Sequence, residues 1–160
     1  MNRLEKGTHV AAIAAIWTLM LLGGLVSISL PFAVSALVIE YADYANDFWT
    51  ITILLAVPIL LSESLLTIVL VLLRRIRADR MFSISAHRWV RALAYNAGAL
   101  SVSFALILAW LNIKNTLPPI VGLVLLIGIV APLAVSLVTR SLLMLLKRAT
   151  SASEELQGVV

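Results

Sequence analysis

A single acidic residue, Glu63, lies inside an apolar run from Trp49 to Leu73 that is long enough to cross a membrane. A carboxyl group in this setting can bind a proton or a cation, or can form a hydrogen bond to a neighbouring helix. An ionised carboxylate at the bilayer centre costs about 2.5 to 3.5 kcal/mol on insertion scales. We therefore expect Glu63 to be protonated, hydrogen-bonded or both. A structural contact between helices and a proton or cation site both fit the sequence.

Other residues that could do chemistry are sparse. His9 and His87 lie at predicted membrane edges without Asp or Glu at ligand spacing, which indicates interfacial residues. The chain has no cysteine, so thiolate chemistry and soft metal sites are excluded. No phosphate loop, HExxH motif or Ser-His-Asp pattern occurs. The sequence therefore predicts neither an enzyme nor a bound cofactor or metal.

The composition indicates which elements position Glu63. Hydrophobic residues make up 62% of the chain and charged residues 12%, about half the charged share of soluble domains. Four apolar segments, residues 10–30, 49–73, 92–111 and 118–139, reach the roughly 20 residues that a helix needs to span a bilayer. They lack the alternation of barrel strands. We predict an all-α, four-transmembrane-helix bundle over residues 1–149 and a fraying polar tail over 150–160, with the first span a retained anchor.

The basic residues indicate the orientation. Eleven of the 12 basic residues fall on one side of the predicted spans: Arg3, Lys6, Arg74, Arg75, Arg77, Arg80, Arg88, Arg91, Arg140, Lys147 and Arg148. Only Lys114 lies on the other side, where the first loop carries acids and no Lys or Arg. The positive-inside rule therefore places both termini in the cytoplasm. The net charge of +4 reflects this topology, so we expect no direct binding of nucleic acid. Binding of anionic lipid or of an acidic partner by loop 74–91 stays an alternative.

The first and last apolar stretches are longer than the membrane. Residues 10–39 and 117–146 would each be about 45 Å long as continuous helices, and Pro31 and Pro132 mark possible bends. After Pro31 the chain forms either an outer helical extension or an interfacial segment. After Arg140 we expect the helix to continue towards the cytoplasm.

Small residues at four-residue spacing predict where helices approach each other. The third span carries Ala97, Ser101, Ala105 and Ala109, the first Ala11, Ala15, Gly23 and Ser27, and the last Gly128, Pro132 and Ser136, with Arg140 continuing the same line. Helix packing is the favoured interpretation, and a ligand groove along the Gly and Ser positions is the alternative. Asn96 is expected to form a hydrogen bond across helices.

The surroundings of Glu63 follow from counting along the helices. Glu63 is 11 residues from Arg74, or about 16 Å from the inner boundary and near the midplane. Ser101 and Thr18 fall at a similar depth and are predicted to donate hydrogen bonds to its carboxyl group. Arg140 faces inward on the last helix but lies closer to the cytoplasm, so its side chain would have to reach upward to meet Glu63.

Segment 72–83 carries a family resemblance. The run LLRRIRADRMFS, followed by Arg88 and Arg91 entering the third span, resembles bacterial integral membrane proteins of domain of unknown function 2975. These typically show a leucine-rich helix end, a basic stretch, a short turn and a Phe-Ser pair. The resemblance implies a four-span membrane protein without assigned chemistry. It also implies a cytoplasmic helix-turn-helix regulator as a partner, because the family is often encoded beside such regulators.

Three functions fit the sequence, of which a membrane enzyme is the least favoured because convergent polar residues are sparse. The first is a non-enzymatic scaffold or regulatory protein of the bacterial plasma membrane that uses loop 74–91 as a docking surface. The alternative is a small ion- or proton-coupled transporter, expected to be a homodimer, that uses Glu63. Candidate partners are the lipid bilayer, a cytoplasmic protein and a second copy of the chain.

Overall fold

The computed structural model describes residues 3–40, 42–77, 84–115 and 117–157. The elements are α1 (Arg3–Glu40), a 3-10 helix (Ala42–Asp47), α2 (Phe48–Arg77), α3 (Ile84–Ile113) and α4 (Pro119–Gln157). No strand occurs in this described part of the chain. Four helices are long and apolar enough to cross a membrane, over Val10–Glu40, Tyr44–Arg74, Arg88–Ile113 and Pro119–Leu145. The predicted all-α fold with four spans is confirmed.

The prolines lie inside continuous helices. Pro31 is within α1, Pro58 within α2 and Pro132 within α4. Of the two alternatives for the chain after Pro31, the structure has the helical extension, since α1 runs on to Glu40. An apolar segment has no other way to pair its backbone groups in lipid, so the helix is retained through the proline.

The last helix extends further than expected. α4 passes through Arg140, as predicted, and continues to Gln157. The prediction that the chain frays from Thr150 is therefore wrong. The residues between Ser151 and Gln157 include Ala, Glu and Leu, which are good helix formers, so the polar composition of this segment does not end the helix.

The helices pack in chain order. α1 contacts α2, α2 contacts α3 and α3 contacts α4, and no close backbone contact joins non-consecutive helices in the described part of the chain. The bundle is therefore open, with α1 and α4 at its two edges. We call the end where α2 finishes and α3 begins the arginine end. The opposite end carries the 3-10 helix and the turn between α3 and α4.

Two hydroxyl groups fix the register of α3 against α4. Ser101 Oγ donates to the carbonyl oxygen of Ile129, and Ser136 Oγ donates to that of Ala94, both at 2.7 Å. The two residues on each helix are seven apart, so the helices are antiparallel with residue 94 opposite 136 and 101 opposite 129. The predicted contact ridge on α3 holds at Ala97 and Ser101, which are buried. It is wrong at Ala105 and Ala109, which are exposed because they lie beyond the arc that faces α4.

An ion pair joins the two connections at the end opposite the arginines. Lys114 Nζ lies 2.5 Å from Asp47 Oδ2 and 5.8 Å from the ring centroid of Trp110. Lys114 follows α3, and Asn115 then turns the chain with a φ of 53°, a left-handed conformation that Asn tolerates at helix ends. The ion pair brings the start of α2 level with the end of α3.

Candidate functional site

The carboxyl group of Glu63 lies against a glycine pair on α1. A Cβ atom added at Gly23 would be 2.5 Å from Glu63 Oε1 and 3.3 Å from its Cγ and Cδ atoms. A Cβ atom at Gly24 would be 3.9 Å from the same oxygen. Glycine at position 23 therefore forms a notch that any other residue would fill, and this notch accommodates the acid between α1 and α2.

The hydrogen bonds predicted for Glu63 are not the ones that form. Thr18 Oγ1 donates to the carbonyl of Ala14 in its own helix at 3.0 Å, and Ser101 donates to Ile129 on α4. The prediction of Thr18 and Ser101 as donors to Glu63 is therefore wrong. Ser101 faces α4 rather than α2, and Thr18 is five residues from Gly23, which is about 7.5 Å along α1.

Glu63 Oε1 is buried and has no hydrogen-bond partner among the described residues. Ser27 Oγ is also buried and has no hydrogen-bond partner among the described residues. Ser27 follows Gly23 by one turn on the same face of α1, and helical side chains lean towards the N-terminus of their helix. Its hydroxyl therefore leans towards the notch that Glu63 occupies. The four-residue spacing from Gly23 is the sequence signal for Ser27, and it indicates helix packing or, as the alternative, a groove for a ligand.

Asn96 extends this polar region to α3. Its amide Nδ2 donates to Ser64 Oγ at 2.7 Å, which confirms the predicted bond across helices. Its Oδ1 atom is buried without a partner among the described residues. We call Ser27, Glu63, Ser64 and Asn96 the polar cluster. It spans three consecutive helices. Three of its oxygen atoms, Ser27 Oγ, Glu63 Oε1 and Asn96 Oδ1, are buried and form no hydrogen bond with the described residues.

The position of Glu63 along α2 follows from counting residues between the ion pair and Arg74. Glu63 is 16 residues beyond Asp47 and 11 before Arg74, or about 24 Å and 16 Å along α2. The total of about 40 Å matches a bilayer with its headgroup regions. Glu63 therefore lies in the middle third of the helix length between these charges.

Arg140 reaches α3 on the side away from Glu63. Its guanidinium carbon lies 5.2 Å from the ring centroid of Tyr95, and a Cβ atom at Gly98 would be 3.9 Å from its Nη2 atom. Glu63 contacts α1 instead, so α3 separates the two charges. Arg140 was predicted to face inward, but it is exposed, and its side chain lies over Tyr95 rather than pairing with Glu63.

The arginine end presents exposed cations. Arg74, Arg88 and Arg91 are exposed, and none of them forms an ion pair with another described residue. The backbone of α2 includes Arg75 and Arg77, while Arg80 lies outside the described residues. The structure therefore describes the predicted docking loop only in its helical parts, the end of α2 and the start of α3.

Among the cavities between the described helices, two open ones are apolar. One, of about 430 Å³, is lined by residues that include Tyr44, Ile51 and Trp110 near the Asp47–Lys114 ion pair. The other, of about 370 Å³, is lined by all four helices, and Ser62 is its one hydroxyl. Ser62 already donates to the carbonyl of Pro58 at 2.8 Å. Glu63 lines neither cavity, and the described residues contain no group of three His, Asp or Glu that could hold a metal ion.

Comparison with protein families gives one match. A family model described as protein of unknown function (DUF2975) matches residues 32–160. The matched region contains α2, α3, α4 and the end of α1, so it includes Glu63 and loop 74–91 but not Gly23. No curated protein and no solved structure matches the chain.

Proposed function

We propose that this chain, which belongs to the family of proteins of unknown function DUF2975 as segment 72–83 predicted, has a non-enzymatic regulatory role. In this proposal it is a multi-pass protein of the bacterial plasma membrane that presents loop 74–91 to a cytoplasmic protein. The observation that carries the proposal is the exposure of Arg74, Arg88 and Arg91 without ion-pair partners in the described chain. Unpaired guanidinium groups offer strong, directional hydrogen bonds to carboxylates.

The proposed orientation places the arginine end in the cytoplasm. α1 begins and α4 ends at this end, so the basic residues at both termini add to those of loop 74–91. The opposite end carries the acids of the first loop, one of which is paired with Lys114. This asymmetry of Lys and Arg supports cytoplasmic termini through the positive-inside rule.

The cavities support a binding role rather than a solute pathway through one chain. Both are lined almost entirely by apolar side chains, which do not replace the hydration shell of a polar solute. The helix-turn-helix regulator that the family resemblance implies is the proposed partner. An acidic patch on that protein would complement the arginines.

Charge reversal in the loop tests the docking surface. In a variant with Arg74→Glu, Arg77→Glu and Arg88→Glu, we expect co-purification of the partner from native membranes to fall at least tenfold, because attraction becomes repulsion. The matched control replaces the same three arginines by lysine, which keeps the charge and should retain most of the partner. Retention of the partner by the glutamate variant would contradict the proposal.

The same experiment needs a control for orientation, since loop arginines also determine topology. The chain has no cysteine, so Asn46→Cys adds a single label site at the end opposite the arginines. A membrane-impermeant maleimide should label this cysteine in intact cells, in both the glutamate and lysine backgrounds. Loss of labelling in the glutamate background would show inverted insertion, and an Arg77→Glu single change then replaces the triple one.

A second candidate function rests on the unpartnered Oε1 atom of Glu63. A buried carboxyl group near the middle of a membrane helix is a site where a proton or cation can bind. In this alternative the protein is a small ion- or proton-coupled transporter. A homodimer would supply the polar pathway that the apolar cavities of one chain do not offer.

Glu63→Gln tests the transporter. We expect it to abolish proton flux in vesicles that carry the purified protein and an internal pH-sensitive dye, because an amide cannot exchange a proton near neutral pH. Ser62→Ala is the matched control, since that hydroxyl bonds within its own helix and its loss should leave the flux unchanged. Equal flux in the Glu63→Gln and unmodified proteins would exclude this function.

A further inference from the structure

Two arginines occupy neighbouring backbone positions at the contact of α3 with α4. The register places residue 94 opposite 136, so Arg91, three residues earlier, lies opposite position 139 and beside Arg140. Both side chains are exposed. Two positive charges carried at neighbouring backbone positions attract an anion that both side chains can reach.

A tyrosine holds one of these arginines at the contact. Tyr95 is one turn beyond Arg91 on the same face of α3, and its ring lies under the Arg140 guanidinium at 5.2 Å. A cation–π contact of this kind orients the group but leaves its positive charge. The only ion pair among the described residues joins Lys114 to Asp47 at the other end of the bundle. Glu63 lies on the other side of α3, so no described acid neutralises Arg91 and Arg140.

The surroundings indicate the kind of anion. Arg91 is 23 residues before Lys114, or about 35 Å along α3, which corresponds to the headgroup level of the opposite leaflet. Apolar side chains of α4 on both sides of Arg140 are exposed, with 55% exposure at Leu137 and 58% at Leu142. An anion at this position therefore lies beside acyl chains, as the phosphate of a lipid does.

We infer that Arg91 and Arg140 bind the phosphate of an anionic phospholipid headgroup at the contact of α3 with α4, with Tyr95 as a positioning residue. Guanidinium groups match phosphate oxygens in pairs of hydrogen bonds, and basic pockets between transmembrane helices bind lipid headgroups. This inference goes beyond the proposed function, because Arg140 and Tyr95 lie outside loop 74–91.

The test measures binding of fluorescent phosphatidylglycerol to the purified full-length protein in detergent micelles. We expect Arg140→Gln to weaken binding about fivefold, and Arg91→Gln combined with Arg140→Gln about twentyfold or more. Tyr95→Phe keeps the ring and should bind as the unmodified protein, whereas Tyr95→Leu should bind more weakly. Lys114→Gln removes an equal charge at the opposite end and is expected to have no effect.

Several outcomes would overturn the inference. Unchanged phosphatidylglycerol binding in the double glutamine variant is the most direct of them. Displacement of the lipid by millimolar inorganic phosphate would show a site for free phosphate instead. If an acidic protein co-purified with the unmodified protein but not with Arg140→Gln, while lipid binding stayed unchanged, the site would bind a protein instead. Should the glutamine variants fail to insert, equal binding by Tyr95→Leu and Tyr95→Phe rejects the site. The proposed docking role is judged separately, since its variants leave Arg140 in place.

Discussion

Gly23→Ala is expected to lower the free energy of unfolding by about 1 kcal/mol, the lower end for overpacked interiors, because the group that it meets is the end of a flexible side chain that is buried against α1. The new methyl group would stand 2.5 Å from Glu63 Oε1, so the carboxyl group has to leave its notch or α1 has to move away from α2. In the described structure the backbone of α1 comes close to α2 and to the 3-10 helix but to no other membrane-spanning helix, so few other contacts can compensate. Unfolding in an SDS titration, followed by circular dichroism, measures the effect.

Two further variants separate the notch from a general effect on α1. Gly24→Ala places its methyl group 3.9 Å from the same oxygen, an ordinary contact, and should change stability by less than about 0.5 kcal/mol. Glu63→Ala should remove most of the penalty of Gly23→Ala, because the clashing atoms are absent. An equal penalty for Gly23→Ala with and without Glu63 would show that the notch does not couple these two residues.

Gly128→Leu is expected to be the most destabilising single change in the contact of α3 with α4, at about 3 kcal/mol. A Cβ atom at Gly128 would lie 3.1 to 3.2 Å from three ring atoms of Phe104. An aromatic ring cannot fold aside as a flexible chain end can, so the helices must separate. That separation would also break the nearby bond from Ser101 to Ile129. The same SDS titration measures the loss, and α3 and α4 should unfold at a lower SDS fraction.

The matched control lies on the same helix. A Cβ atom at Gly122 meets the flexible side chain of Leu117 at 3.4 to 3.8 Å, so Gly122→Leu should cost less than about 1 kcal/mol. Phe104→Ala in the Gly128→Leu background should restore part of the stability, because it removes the obstructing ring. If Gly122→Leu and Gly128→Leu destabilise equally, the close contact with Phe104 is not the cause.

The notch also bears on the two roles considered for Glu63. If Glu63 serves only to hold α1 against α2, then Glu63→Gln, which keeps the shape, should preserve stability and leave no functional defect. If it is a proton site, the same variant stays folded but loses proton flux. The stability and flux measurements therefore distinguish the structural role of this acid from its proposed chemical role.

Much of the fold follows from the composition of the chain. Four apolar segments of sufficient length have to be helical in lipid, because no water is present to pair their backbone groups. This reasoning located all four helices and the continuation of α4 beyond Arg140. The run from Leu72 to Ser83 indicated the family, because a basic stretch between two apolar segments is a pattern of neighbouring residues that can be recognised without the structure. The polar tail was misjudged because helix propensity there outweighed its polarity.

Some residues of the candidate site could be predicted from the sequence, but the contacts between them could not. Glu63 is conspicuous as the charge in an apolar run, and Asn96 as an amide that needs a partner. Their neighbours depend on how each helix is rotated about its axis. In a membrane, lipid tails are as apolar as leucine side chains, so hydrophobicity does not specify which face of a helix meets its neighbour.

The sequence by itself therefore determined the number of membrane-spanning helices and where along the chain they lie, because bilayer thickness converts residue counts into distances. Only the tertiary structure decided that Ser101 bonds to α4, that Glu63 occupies the notch at Gly23 and that Arg140 lies over Tyr95. Those contacts come from close packing between specific surfaces, which residue spacing within one helix does not encode.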